Sequence, residues 1–254
     1  MKVNLHTHTF RCRHAKGTDE EFVLAAMAAG YDKLGFADHT PFPYTGGYSC
    51  SDKMRMEELP DYMDSVLSLK EKYKGRIEIL LGLECEWIPE FAPFLGEMKQ
   101  KMDYLLLGSH GDTRIEPYSG MLKEPAQLWR YLEFTLEGME SGLFLYLAHP
   151  DVMLGRYPAF DETAAEVSRK LCREAYRLGL PLEYNLYGIY KGVKPGCLGY
   201  PCEDFWRIAA EENCTAVIGV DAHVPGCFQA TPMEPAVEFL HSLGITVLED
   251  PTNP

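Results

Sequence analysis

The sequence predicts an α/β fold in which β-α units repeat over a largely parallel sheet. Short apolar runs alternate with longer amphipathic segments along the whole chain, and the units follow one another without a linker. Apolar runs of strand length are found at 3–8, 33–38, 77–84, 104–109, 145–149, 181–185 and 216–221. Seven such units fit both a doubly wound open sheet and a closed barrel, so the periodicity leaves both architectures open.

The helices between these strands begin and end at recognisable residues. Thr18 precedes Glu21 by three positions, which is the spacing of a capping box, and Gly30 marks the end of the first helix. A later helix is predicted over 162–178, and Gly179 ends it. Its apolar residues recur at offsets of four, four and three, which aligns them in one buried stripe: Val167, Leu171, Ala175 and Leu178.

Composition restricts the class of protein. The 254 residues contain 24 Lys and Arg against 38 Asp and Glu, a formal net charge of -14, and 46% of the residues are hydrophobic. A chain of this length and composition builds a sizeable core, and we expect one domain over 1–254. An acidic surface repels phosphate backbones and anionic lipid, which disfavours long nucleic acids and membranes as partners. The sequence has neither a membrane-spanning apolar stretch nor an apolar N-terminal run, and this predicts a cytoplasmic protein.

Histidines stand at the ends of five of the predicted strands. Six of the eight histidines belong to this set: His6, His8, His39, His110, His149 and His223. His14 follows in the first loop, whereas His241 lies in the last amphipathic segment and is interpreted as a surface residue. The carboxyl ends of parallel strands meet at one edge of the sheet, so these rings should converge. Because neutral imidazoles are common ligands of zinc and iron, the pattern predicts a metal centre.

Two carboxylates could balance part of the charge of such a centre. Glu84 and Asp221 each close an apolar run, so each side chain must leave the core or meet a cation. Glu86 lies on the same strand face as Glu84 and competes with it for this role. Trp87 and Pro89 indicate that the strand has already ended near Glu86, so we prefer Glu84.

These residues occur in ordered motifs that resemble those of the polymerase and histidinol phosphatase (PHP) superfamily. The motifs are Asn4-Leu5-His6-Thr7-His8-Thr9, His14, Ala37-Asp38-His39-Thr40, Gly82-Leu83-Glu84, Gly108-Ser109-His110, Ala148-His149-Pro150-Asp151 and Asp221-Ala222-His223. They span nearly the whole chain, and the later segment Leu182-Glu183-Tyr184-Asn185 resembles the histidinol-phosphatase branch. The resemblance implies a distorted (β/α)7 barrel with a trinuclear metal centre at the carboxyl ends of its strands.

The resemblance also implies which residues hold each ion. The first ion would take His6, His8, Glu84 and Asp221. The second would share Glu84 and add His110 and His149, and the third would take His14, His39 and His223. These nitrogen and oxygen donors suit three divalent ions, with zinc, iron and manganese equally acceptable. Two departures from the family pattern bear on the substrate: Val220 precedes Asp221, and Tyr190 stands where relatives often have an arginine.

The predicted activity is hydrolysis of a phosphate monoester. L-histidinol phosphate is the small-molecule ester that the resemblance favours, giving L-histidinol and phosphate in histidine biosynthesis. A metal-bound hydroxide would be the nucleophile, and Asp38 would orient a ligand imidazole from behind. Ser109 is not expected to pair with His110, because neighbouring residues of a strand point to opposite faces.

Substrate contacts are predicted from the loops around the site. Arg156, seven residues after His149, is the cation expected to contact the phosphate, and the weaker candidates are Lys191, Arg114 and Lys194. An acid at the mouth would face the cationic part of the substrate, and the candidates are Glu116, Asp112 and Glu86. The loop from His39 to about Asp52 is long enough to act as a lid. Its aromatic residues could stack on a flat ring or pack the loop down: Phe42, Tyr44 and Tyr48.

Two other functions fit the same motifs. A general phosphoesterase of the superfamily would act on other small phosphate esters or on nucleotides, and a nuclease would need a basic groove with stacking aromatics. A non-catalytic metal-dependent binding module would be expected to have lost one or more ligands, and all nine are present here. Metal analysis combined with a panel of phosphomonoesters separates these functions.

Overall fold

A computed structural model of the chain describes residues 1–112, 114 and 117–253. Within this part, eight parallel strands form one sheet in the order in which they follow along the chain. The strands are β1 (Val3–Asn4), β2 (Lys33–His39), β3 (Glu78–Cys85), β4 (Tyr104–Gly108), β5 (Leu147–Ala148), β6 (Leu182–Asn185), β7 (Thr215–Gly219) and β8 (Thr246–Val247). All seven predicted strands are present, whereas β8 was not predicted.

The segments that follow β1 and β7 are hydrogen-bonded to each other, so that the sheet curls into a distorted barrel. The backbone N–H of His8 donates to the carbonyl of Ala222 at 3.0 Å, and the N–H of Ala222 donates to the carbonyl of His6 at 3.1 Å. β8 extends the sheet beyond β7, where Thr215 pairs with Thr246 and Ala216 with Val247. The expected distorted barrel of β-α units is confirmed, with one short strand added to the predicted seven.

Helices follow most of the strands. They are α1 (Asp19–Ala28), α2 (Leu59–Lys72), α3 (Ala92–Lys101), α4 (Pro125–Glu140), α5 (Glu162–Leu178), α6 (Leu186–Lys191), α7 (Glu203–Glu211), α8 (Cys227–Ala230) and α9 (Glu234–Ser242). The predicted capping box is present at α1, where Thr18 and Glu21 each accept the other's backbone N–H. α5 has the predicted bounds and ends at Gly179, whose φ of 64° is a left-handed conformation that glycine adopts without strain.

An apolar cluster fills the interior of the barrel. Its buried members come from strand faces that point inward: Val3, Leu5, Ala37, Leu80, Tyr104, Leu106, Tyr146, Ala148 and Val217. The hydroxyl of Tyr104 donates to the carbonyl of Leu5 at 2.6 Å, which satisfies its one polar group inside the cluster. Leu80 and Glu84 share one face of β3 because they are four residues apart on a strand. The carboxylate of Glu84 therefore stands above an apolar floor.

A second and larger core packs the helices against the outside of the sheet. It includes Leu171 of α5 and Trp206 of α7, both fully buried. Within the described residues, no helix combines the length and the apolar character that a membrane span requires.

Candidate metal centre

The nine predicted ligands gather at the carboxyl ends of the strands. Seven of them are buried, His39 is partly buried and His14 is exposed. His39 is the last residue of β2 and Glu84 the penultimate residue of β3, while the other ligands lie in the segments that follow their strands. The parallel arrangement of the strands brings these distant residues together, as the sequence predicts.

Glu84 is the carboxylate on which the imidazoles converge. Its Oε1 lies 2.7 Å from His149 Nε2, and its Oε2 lies 2.9 Å from His39 Nδ1. Three further rings place a nitrogen 3.5 or 3.6 Å from one of its oxygens: His6, His8 and His110. A carboxylate shared by five rings is suited to bridge two cations.

Asp221 supplies the second carboxylate. Its Oδ1 lies 3.0 Å from His8 Nε2 and 3.6 Å from His6 Nε2. Asp221 has a φ of 51° and His149 a φ of 30°, which are left-handed conformations that residues other than glycine adopt at a cost. Of the four described non-glycine residues with positive φ, two therefore have side chains that enter the centre, and the other two are Arg13 and Asn213.

The donor atoms fit divalent cations. Glu84 Oε2 and Asp221 Oδ1 are buried and accept no well-aligned hydrogen bond from the described residues, although His39 Nδ1 and His8 Nε2 lie 2.9 and 3.0 Å away. The Nε2 atoms of His6 and His8 are 3.2 Å apart, and those of His110 and His149 are 3.3 Å apart, so the lone pairs of each pair point at a common place. Unpaired buried carboxylate oxygens are costly unless a cation meets them. Their combination with neutral imidazoles suits zinc, iron or manganese.

Most of the rings are oriented from behind by an oxygen that accepts from Nδ1. Backbone carbonyls accept for two of them, Cys12 for His14 at 2.8 Å and Asp221 for His223 at 2.9 Å. Carboxylates lie behind three others, namely Glu183 at 2.8 Å from His6, Glu86 at 3.0 Å from His110 and Asp38 at 3.4 Å from His8. An oxygen at Nδ1 holds the proton there, which leaves the Nε2 lone pair free for a metal.

Charges within the site set different protonation states for different rings. Burial opposes a charge on His6 and His8, but nearby carboxylates raise the pKa of His6 well above 6.5 and that of His8 to about 9. Burial and the neighbouring His8 lower the pKa of His223 to about 3 and that of His39 well below 6.5. Without metal, a proton is therefore favoured on His6 and His8 and disfavoured on His39 and His223, and a cation bound by His6 or His8 must displace it.

Several groups of three donor atoms lie close enough to share an ion. His6 and His8 form one with Glu84, and His6 also groups with His149 and Asp221. His8, His39 and His223 form a further group. The sets predicted for the first two ions are thus brought together around Glu84. For the predicted third set, the ring centroid of His14 lies 5.3 Å from that of His39 and 4.8 Å from that of His223.

The ligands open onto a cavity of about 290 Å³. Besides ligands, its wall contains Cys50, Asp52, Lys53, Glu86, Tyr118, Tyr187, Lys191 and Tyr200. Tyr187 stacks on His223 with 4.4 Å between ring centroids, and Tyr118 lies beside His110 at 5.5 Å. A cavity of this size, with the predicted ligands at its base and aromatic side chains in its wall, suits a small molecule.

Glu86, the competitor of Glu84 in the sequence, has a different position. It is buried behind the ring of His110, and its Oε1 also pairs with the ammonium of Lys53, which is itself buried. Glu84 occupies the centre and Glu86 supports one ligand of that centre. Sequence reasoning missed Lys53, since a lysine in a long polar loop has no signal that distinguishes it from a surface residue.

Asp38 lies against two neighbouring residues of the site. Its Oδ1 is 3.4 Å from His8 Nδ1 and accepts the backbone N–H of His39 at 2.8 Å, and Thr9 donates its hydroxyl to the other oxygen. This geometry is that of a residue orienting the imidazole of His8. A role in catalysis stays a prediction.

The predicted phosphate contacts are placed unequally. Lys191 lines the cavity, with its ammonium 5.3 Å from the centroid of the Tyr187 ring. Arg156 is partly buried but does not line the cavity, and it makes no hydrogen bond or ion pair with the described part of the chain. Arg114 is held by Asp112 and Glu90, and Lys194 is exposed. Each role in substrate binding stays a prediction.

The remaining substrate candidates lie around the mouth. Among the acids, Asp112 is paired with Arg114, Glu86 with Lys53, and Glu116 lies outside the described residues. The aromatic side chains of the loop after His39 pack mainly on one another and on Phe91, with centroid distances of 4.8 to 5.9 Å: Phe42, Tyr44 and Tyr48. They are not among the residues that line the cavity. The sequence left open whether these aromatic side chains stack on a flat ring of the substrate or pack the loop down, and this geometry favours packing of the loop.

Comparisons with known sequences agree with this geometry. A family model described as "PHP domain" matches residues 4–185. A protein of Deinococcus radiodurans named "Probable histidinol-phosphatase" is 32% identical over 230 residues, which cover 87% of this chain and 86% of that protein. A protein of Bacillus subtilis named "Histidinol-phosphatase" is 25% identical over 258 residues, which cover 89% of this chain and 95% of that protein.

The fold is also found among solved structures. The crystal structure of histidinol phosphate phosphatase from Lactococcus lactis, complexed with zinc, L-histidinol and phosphate, is similar with a TM-score of 0.74. It is 17% identical, and the likeness covers 97% of this chain and 95% of that chain. At this level of identity the similarity establishes the shared fold.

Proposed function

We propose, from the premise that this chain belongs to the PHP domain family, that it is a phosphoric monoester hydrolase with L-histidinol phosphate as its substrate. The products would be L-histidinol and phosphate, which places the enzyme in histidine biosynthesis. A cytoplasmic location is part of the same proposal. The substrate is suggested by the names of the relatives, and the reaction class by the site itself.

The main support is the convergence of seven imidazoles and two carboxylates on one cavity. The observation that matters most is that both carboxylates are buried among imidazoles whose nitrogens lie 2.7 to 3.6 Å from their oxygens, because such a buried cluster of donor atoms is best explained by cations between them. We propose three divalent ions of zinc, iron or manganese, held by the nine predicted ligands. A binding module without catalysis would not need so complete a set.

Divalent ions bound here would put positive charge beside the phosphoryl oxygens and would lower the pKa of a water molecule toward neutrality. The residues of the chain hold the donors in place, and the apolar floor around Leu80 keeps water from screening their charges. No side-chain nucleophile is required. His110 directs Nδ1 to Glu86 and Nε2 toward His149, so neither ring nitrogen is available to activate Ser109.

The global charge is compatible with a small anionic substrate. A chain of net charge -14 repels long polyanions, but three divalent ions would outweigh Glu84 and Asp221 inside the pocket. The sign of the local potential would then be opposite to that of the surface. A small phosphate ester that itself bears an ammonium group is compatible with the acidic surface and with a positive pocket.

The phosphate contacts can be tested by kinetics. We expect Arg156→Ala and Lys191→Ala each to raise KM for a phosphomonoester about 10- to 100-fold, because a hydrogen bond to a charged group contributes about 1.5–3 kcal/mol. The amount of bound metal should be unchanged. Lys101→Ala is the control, because Lys101 is an exposed lysine at the end of α3, does not line the cavity and is not a candidate for substrate binding. A KM equal to that of the wild type would remove the substituted residue from the substrate site.

Metal analysis and a substrate panel test the function as a whole. Purified protein would be assayed for metal by mass spectrometry and for hydrolysis of L-histidinol phosphate, p-nitrophenyl phosphate, AMP and a dinucleotide. The proposal predicts about three equivalents of metal and a kcat/KM for L-histidinol phosphate at least about 100-fold above the others. Equal rates across the panel would indicate a general phosphoesterase. Metal binding without any hydrolysis would indicate a binding module.

A further inference from the structure

β6 supplies none of the nine ligands, yet two of its side chains reach the centre. Glu183 and Asn185 are two residues apart on this strand, so they point to the same face, and both are fully buried. A buried carboxylate that is not a ligand needs another explanation, because burial of a charge is costly unless its lone pairs are satisfied.

Four hydrogen-bond donors surround the carboxylate of Glu183. Oε1 lies 2.8 Å from His6 Nδ1 and accepts the hydroxyl of Tyr146 at 3.3 Å. Oε2 accepts the backbone N–H of His149 at 3.0 Å and Nδ2 of Asn185 at 2.8 Å. An ionised carboxylate accepts at about four positions, whereas an amide or a protonated acid replaces part of that capacity with a donor. Only the anion satisfies all four groups.

Asn185 extends the same network to a third ligand. Its Nδ2 lies 3.2 Å from Asp221 Oδ2, and its Oδ1 accepts the backbone N–H groups of Tyr187 and Gly188 at the start of α6. Glu183 and Asn185 together therefore contact the ring of His6, the backbone of His149 and the carboxylate of Asp221. His149 and Asp221 are the two predicted ligands with a left-handed backbone, which persists only where surrounding contacts hold it.

We propose that Glu183, assisted by Asn185, is the positioning residue that orients His6, His149 and Asp221 and so sets the affinity of the centre for its cations. Acceptance of the His6 Nδ1 proton leaves Nε2 free as a ligand, and the bond to the His149 N–H stabilises the backbone that aims its ring at Glu84. This proposal rests on the metal centre proposed above.

The test compares Glu183→Gln with a matched control, Tyr146→Phe. The first replaces the acceptor that faces His6 and His149, and the second removes one donor from the same carboxylate without contacting a ligand. Each protein would be stripped with a chelator and titrated with Co²⁺ and Zn²⁺. The readouts are the dissociation constants from chelator competition, the visible spectrum of the Co²⁺ protein, and Tm with and without metal.

We expect Glu183→Gln to weaken metal binding about 10- to 100-fold, to change the Co²⁺ spectrum and to reduce the rise in Tm that metal produces. Tyr146→Phe should bind within about 3-fold of the wild type, since it alters no ligand. If Glu183→Gln lowered Tm equally with and without metal and kept the wild-type affinity and spectrum, Glu183 would be a structural residue only and the proposal would be overturned.

A second variant covers failure of Glu183→Gln to fold. Glu183→Asp keeps the negative charge but draws the oxygens back by one methylene, so it should weaken metal binding in the same direction, and wild-type affinity would overturn the proposal. None of these measurements uses a substrate. A wild-type protein that binds metal but hydrolyses no phosphomonoester would defeat the proposed function without touching this proposal.

Discussion

Replacing Gly219 of β7 with alanine should cost the protein its metal affinity through a collision with Glu183. A Cβ at position 219 would lie 1.8 Å from Glu183 Oε1 and 2.4 Å from its Cδ. Real Cβ atoms do not approach an oxygen within 3.0 Å, so the carboxylate would have to retreat by about 1.2 Å. Its oxygen would then lose the bond to His6, which now spans 2.8 Å.

The free energy of this change has three parts. Overpacking costs about 1–3 kcal/mol, and each buried donor left without an acceptor costs about another 1–3 kcal/mol. The replacement of glycine in a strand returns only about 0.5–1 kcal/mol, because the backbone of Gly219 is not left-handed. We therefore expect the free energy of unfolding to fall by about 2–5 kcal/mol, with weaker metal binding besides.

Urea denaturation and chelator competition measure the two effects separately. Gly96→Ala is the control, because Gly96 lies inside α3 with no atom within 4 Å of the added Cβ. It should raise the free energy of unfolding by about 0.5–1 kcal/mol and leave metal binding unchanged. A Gly219→Ala protein with the stability and the metal affinity of the wild type would refute the reasoning about Glu183.

Three further substitutions have expected outcomes. Glu84→Gln removes the carboxylate shared by five rings and should lower both bound metal and kcat by at least about 100-fold, as measured by mass spectrometry and steady-state assay. Asp250 is paired with Lys33 at 2.7 Å, and although burial opposes its charge, Lys33 lowers its pKa below 3.8. Asp250→Asn should cost about 1.5–3 kcal/mol at pH 7. This difference should shrink as the pH falls below about 4, because the unfolded carboxyl takes up its proton there while the folded carboxyl does so only at a lower pH. Leu171→Ala in α5 should cost about 2–5 kcal/mol in urea, since the side chain is fully buried, and a smaller loss would contradict the core assigned to it.

The parts of the structure that local patterns encode were predictable. The bounds of α5 follow from an apolar stripe and a terminal glycine, and the capping box of α1 from two residues three positions apart. Both are decided by contacts within a few turns of the chain, so the residues themselves contain the information. β8 has no such pattern, because only pairing with β7 defines it.

The roles of the acids near the site could not be predicted from local sequence patterns. Glu84 and Glu86 share a strand face in the sequence, and only the tertiary structure shows that the first meets five imidazoles while the second lies between His110 and Lys53. Lys53 reaches the site from a loop that is distant in the chain. The contacts of Glu183 join strands separated by up to 177 residues, and such contacts leave no local signal.

The sequence by itself determined the alternation of strands and helices and the nine residues predicted as ligands, because strand ends and imidazoles are properties of short segments. The tertiary structure decided which acid is central, which rings are held from behind, and that the loop aromatics pack on one another. The physical reason is that these outcomes depend on distances between segments far apart in the chain. Closure of the barrel sets those distances, and they cannot be derived from the sequence of any one segment.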